Sequence, residues 1–173
     1  MENQASSKSI ILNNGLYLGI ISVLMSLVVY ATGNHLQPHW SVGVISFVFM
    51  IVFIIMGMNQ FKTNNGGYMS WGQAVKTGVG LVIVSAVISI AYNLIFASFI
   101  EPEYMQQLAA VQEQIWIDGG MSSEQIETSK EMMQKFQGPV ISSAFGLVMA
   151  AFFSFIISAI AGAIMKQNAE EQY

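Results

Sequence analysis

The chain has no cysteine and no arginine, three prolines, and only 9% charged residues. Each scarcity removes a class of protein. Without cysteine there is no disulfide, no thiolate metal site and no cysteine nucleophile, and nothing reports the redox compartment. Net charge is −4, and the six lysines are scattered one or two per segment. No basic stripe is left to neutralise phosphates, so a nucleic-acid partner is excluded. No charged residue falls in the interior of the long apolar runs, where an ion-coupled carrier places its coupling charge. The sets needed for intramembrane proteolysis, paired Asp, Ser with His, or zinc ligands, are missing too. The expectation is a protein without catalytic, metal-binding or cofactor-binding residues. His35 and His39 stand four apart, but Pro38 lies between them in a short turn and no third ligand is near, which reads as a loop-tip pair. The twelve methionines are dispersed and read as gap-filling or lipid-facing.

What is present is apolar surface. Hydrophobic residues make up 54% of the 173 positions, with a mean hydropathy of +0.55. Four runs reach the roughly 20 residues needed to cross a hydrocarbon core about 30 Å thick: 10–32, 41–58, 74–100 and 140–165. They are continuously apolar rather than alternating, and in lipid only a helix satisfies its own backbone, so the fold class is an all-α integral membrane four-helix bundle. The whole chain, 1–173, reads as one membrane domain in the lipid bilayer. The run from Ile10 is about twice the length of a signal-peptide core and is followed by no A-x-A site, so it reads as an uncleaved first span.

The connections differ. Gly33 to Trp40 is a tight turn, and Asn59 to Gln73 is polar with Tyr68 and Trp71 as interfacial anchors. The loop 101–138 holds most of the acidic residues and is patterned as a helical hairpin. Glu101, Pro102 and Glu103 read as a helix start, with the two carboxylates explained by the helix dipole. Asp118, Gly119 and Gly120 end that helix, and Ser122 with Gln125 opens the next as a capping box. This amphipathic loop is the expected contact for a protein partner. Lys8, Lys62, Lys76 and Lys166 fall on one side and Lys130 with Lys135 on the other, which places both termini in the cytoplasm and the loop outside.

Small residues recur every fourth position in span four: Ser142, Gly146, Ala150, Ser154, Ser158 and Gly162. In lipid no hydrophobic drive operates between helices, so such a row reads as a packing seam, within the bundle or between copies in a homo-oligomer. Its candidate partners are Gly15, Gly19, Ser22 and Ser26 of span one, and Gly78, Ser85 and Ser89 of span three. Span two, with Phe47, Phe49 and Phe53, reads as lipid-facing. Asn93 is the most polar residue deep in span three and is the candidate polar site. Ser22, Ser26 and Tyr30 in span one are echoed by Ser85, Ser89 and Tyr92 in span three, which hints at a duplicated hairpin.

The Gly15 and Gly19 opening of span one, the passage SIAYNLIFASFIEPEY from Ser89 to Tyr104, the segment SSEQIETSKEMM, and the GAIMK exit at Gly162 to Lys166 carry a resemblance over nearly the full chain. The sequence resembles the small four-span inner-membrane proteins of Bacteroidota classed as a domain of unknown function. That resemblance implies the bacterial cytoplasmic membrane and brings no activity, substrate or site residue. The favoured expectation is a non-enzymatic accessory or scaffold subunit acting through the acidic loop. The alternative is a small oligomeric transporter or channel for a neutral or weakly polar solute, with a path along Asn93 and the serines of spans three and four.

Overall fold

The computed structural model describes residues 2–136 and 138–167, with side chains from Ser7 onward. Six α-helices follow one another: α1 (Glu2–Ala31), α2 (Trp40–Asn64), α3 (Trp71–Ile95), α4 (Tyr104–Asp118), α5 (Ser123–Phe136) and α6 (Pro139–Met165). The described residues form no named strand. Four helical stretches are long and apolar enough to span a membrane: Ser7–Ala31, Trp40–Asn64, Trp71–Ile100 and Pro139–Met165. The chain is a multi-pass membrane helical bundle. Only 17% to 28% of each span is buried within the protein, so most of the apolar surface is left for lipid.

α2 continues to Asn64, six residues beyond the sequence expectation, because its polar end contains no breaker before Gly66 and Gly67. Those two adopt φ of 67° and 90°, a region that side chains with a Cβ rarely enter, and turn the chain back. α3 then starts three residues early, at a capping box in which Gln73 N–H donates to Ser70 Oγ and Ser70 N–H donates to Gln73 Oε1.

α3 is the central helix. α1 and α6 pack against it most extensively, and α2 leans on α1 and α3. The packing is polarised along the membrane normal. Ile10, Asn14 and Leu18 of α1, Phe53, Ile54, Met58 and Phe61 of α2, Ala74, Thr77 and Leu81 of α3, and Ser154 and Ser158 of α6 are buried. All lie in the half of the bundle that holds the start of α1 and the end of α6. Phe53 therefore belongs to the core and not to the lipid face, while Phe47 is exposed as expected.

The terminal half is tight because small residues let backbones meet. At Gly15 a Cβ would come within 2.6 Å of both Leu81 O and Val84 Cβ. Polar ties knit the same end. Lys62 Nζ donates to Met165 O at 3.2 Å, on the electronegative end of α6. Met69 and Gln167 form a two-bond antiparallel bridge at 3.0 Å. Trp71 Nε1 donates to Ala159 O at 3.0 Å. Asn14 Nδ2 donates across to Gln60 Oε1 at 2.8 Å, joining α1 to α2.

At the other end the helices part. Gly43 and Gly146 have nothing within 4 Å of where a Cβ would stand. α4 and α5 form the helical hairpin there, and Ser122 caps α5 with Gln125 completing the box.

Candidate functional site

The parting of the helices leaves a cleft whose walls come from every span. Its outer chamber, about 240 Å³, lies among α1, the turn after it, α2, α3 and the start of α4. A deeper chamber of about 310 Å³ lies among all four spans. Ser22, Ser46 and Asn93 border both chambers and so form their common wall. The floor is the tight half of the bundle, where Val82 and Leu18 close the deeper chamber.

The polar lining follows from helix register. Ser22 and Ser26 lie one above the other on α1, and Ser22 Oγ donates to Leu18 O at 2.9 Å while Ser26 Oγ donates to Ser22 O at 3.1 Å. Ser46 Oγ donates likewise to Val42 O at 2.8 Å. Each hydroxyl thus spends its proton on its own helix and keeps lone pairs for the cleft. The Asn93 side chain makes no hydrogen bond among the described residues, so its amide is available to an occupant.

At the mouth, α3 loosens into one turn of π-helix, Phe96–Ile100, closed by Glu101 N–H donating to Phe96 O at 2.9 Å. Such turns occur mostly as single insertions and frequently at functional sites. This one aims Phe96 inward, where it is buried, and delivers Glu101 to His35. His35 Nε2 stands 3.1 Å and 2.9 Å from the two carboxylate oxygens, with the side chains 18% and 15% exposed. The loop-tip reading of His35 is therefore corrected, and so is the capping role of Glu101. α4 begins at Tyr104 with Glu103 as its N-cap and no side-chain cap bond. His39 separates from His35 and caps α2, accepting from Ser41 N–H at 3.3 Å.

Rings surround the pair. Tyr30 meets His35 edge-on at 4.9 Å, and Tyr104 stacks on it at 6.0 Å. Phe96 lies 5.0 Å from Tyr30, 5.4 Å from Tyr104 and 5.8 Å from Tyr92. Burial, and then the negative charge of Glu101, push the Tyr104 hydroxyl above the ordinary tyrosine range, so it stays a neutral donor. His35 Nδ1 is buried and has no partner. Among the described residues no three His, Cys, Asp or Glu are grouped to hold a metal.

The structure divides the small residues named from the sequence. Ser154, Ser158 and Gly162 are buried, with Ser158 over Gly78 and Gly162 against Ala74. Gly15 and Gly19 press on α3 at Val84 and Ile88. Gly146 and Ala150 border the deeper chamber, as do Ser22, Ser85, Ser89 and Asn93, while Ser26 borders the outer one. Ser142 is exposed. The cleft thus gathers the two echoed triplets, Ser22, Ser26, Tyr30 and Ser85, Ser89, Tyr92, which the sequence offered only as a hint of a duplicated hairpin. His35 and Glu101, 66 positions apart, gave no signal.

The model of one family, a protein of unknown function (DUF4199), matches residues 13–167. The chain belongs to that family. The match spans all four membrane helices and the hairpin between α3 and α6, so the cleft of this DUF4199 protein lies wholly inside the family region. No curated protein and no solved structure matches the chain.

Proposed function

We propose that this chain is a non-enzymatic protein of the bacterial cytoplasmic membrane that binds a small polar solute in its cleft, reached from the extracytoplasmic side. One observation carries the reading: two chambers share Ser22, Ser46 and Asn93, open beside the hairpin, and end on a packed floor. A blind polar cleft in an otherwise apolar bundle is the form of a binding site, as in a carrier halted in one state, rather than of an open pore. The orientation rests on the lysine distribution.

The absence of cysteine makes the test direct. Single cysteines at Ser22, Ser46 and Ser89 are expected to react with a small membrane-impermeant thiol reagent added from outside intact cells, and cysteines at Ser154 and Ser158 are not. Unreactive cleft positions, with a cysteine at Ser123 in the hairpin labelled as a control, would remove the cleft as an aqueous site. Labelling of Thr63→Cys in place of Ser123→Cys would invert the orientation.

A specific observation also supports the accessory-subunit reading. α4 and α5 bury no residue, and Ile115, Ile117, Met132 and Phe136 are 48% to 60% exposed. On that reading a photo-crosslinker at Ile117 or Met132 yields one discrete protein adduct in native membranes. Adducts with lipid alone would leave the hairpin as a surface-lying lip of the cleft.

A further inference from the structure

We infer that the outer chamber is an ammonium site, taking a quaternary or alkyl ammonium group in the aromatic cluster at its mouth. This rests on the solute-binding reading above and names the chemistry of the solute. Four rings, Tyr30, Tyr92, Phe96 and Tyr104, reach the chamber from α1, α3, the π turn and α4. Rings attract a cation through their quadrupole, and an aromatic cage is the usual recognition device for quaternary ammonium.

The charges around the chamber agree in sign. No lysine borders it, which disfavours an anion, and the carboxylate of Glu101 stands directly behind the lining residue His35. Whether that carboxylate is already neutralised depends on the form of His35, whose Nδ1 has no partner. In imidazolium both nitrogens are donors, and Nδ1–H would be buried against rings with nothing to accept it. In the neutral ring, Nε2–H serves Glu101 and Nδ1 keeps only a lone pair. With the ring in that form, the Glu101 charge is left for a cation in the chamber. A volume of about 240 Å³ lies below the roughly 300–1,000 Å³ of drug-sized sites and fits a headgroup. Asn93 and Ser26 also line the chamber and can bind a hydroxyl on the same solute.

Choline is the probe, measured as saturable radioligand binding to the full chain in maltoside micelles, which carry no ammonium. Its neutral isostere, with tert-butyl in place of trimethylammonium, is expected to compete at least about tenfold more weakly, and Glu101→Gln or Tyr104→Leu to weaken choline by roughly fivefold or more. Displacement by phosphatidylcholine but not phosphatidylglycerol would assign the group to a lipid headgroup, and no displacement by either would assign it to a free solute. Equal competition by the isostere, or no saturable choline binding, overturns the proposal, and the comparison needs no variant to fold. Thiol labelling of Ser22, Ser46 and Ser89 judges the cleft separately: labelled positions without choline binding refute the ammonium and keep the cleft.

Discussion

Adding one methyl group at Gly78 should cost stability, whereas adding one at Gly146 should not, although both lie on small-residue faces of neighbouring spans. At Gly78 the new Cβ would fall on Ser158 Oγ, with Ser158 Cβ at 2.9 Å and Ile54 Cγ2 at 3.1 Å. Rotation of Ser158 moves the hydroxyl away but not its Cβ, and Ser158 and Ile54 are fully buried. The carbon pair is about 0.6 Å short of the roughly 3.5 Å at which carbons attract, so α3 and α6 must separate by about that amount. A radial gap of that size forfeits about a quarter to a half of each contact, and contacts of ~0.1–0.2 kcal/mol recur along Ser154, Ser158 and Gly162. The sum is an overpacking cost of about 1–3 kcal/mol, offset by at most ~1 kcal/mol of helix propensity gained. Gly146 has open space, so Gly146→Ala should be neutral or stabilising by up to about 1 kcal/mol. Unfolding in mixed micelles, followed by tryptophan fluorescence, reports this seam directly because Trp71 donates across it to Ala159 O. Gly78→Ala combined with Ser158→Gly should recover most of the loss. A neutral Gly78→Ala, or equal losses at both glycines, would refute a bundle tight at one end and open at the other.

Three further outcomes are expected. Asn14→Leu removes the donor to Gln60 and should cost about 1 kcal/mol in the same unfolding assay; no loss would mean that the bond does not join α1 to α2. Tyr104 has its folded-state pKa raised by burial and by Glu101, so its contribution to stability is complete below the unfolded value of about 10 and is lost as pH rises through the folded value. Its phenolate absorbance, taken as the difference from Tyr104→Phe, should emerge above pH ~10, and earlier in Glu101→Gln; emergence at or below ~10 contradicts the buried position. Ser122→Ala removes the acceptor for Gln125 N–H and should destabilise the start of α5 by about 1 kcal/mol, seen as faster hydrogen exchange confined to the first turns of α5.

The sequence by itself determined the all-α membrane architecture and the helical hairpin. Lipid offers no partner for an open backbone, so apolar length alone dictates spanning helices, and a cap such as Ser122 with Gln125 is a local bond that its own four residues specify. It also presented the small-residue row and the two Ser, Ser, Tyr triplets, since helical register needs only spacing. It did not say that the row packs at Ser154, Ser158 and Gly162 but opens at Gly146, because identical spacing serves a helix pair that touches or one that diverges. The extension of α2 to Asn64 was hidden for a related reason: polar residues past the membrane boundary stay helical until glycines break the chain.

Only the tertiary structure decided the mouth of the cleft. Nothing in GNHLQPHW tells His35 from His39, and Glu101 beside Glu103 reads as an ordinary helix start, since their pairing or separation depends on where α1 and α3 end in space. The π turn is the clearest instance. Phe96–Ile100 has the composition of any apolar helix, and one shifted hydrogen bond, from Glu101 to Phe96, rotates the following backbone enough to carry the carboxylate onto an imidazole 66 positions earlier. That choice between two nearly equivalent backbone bonds is made by the contacts it permits among Tyr30, His35, Phe96 and Tyr104, which exist only once the helices have assembled.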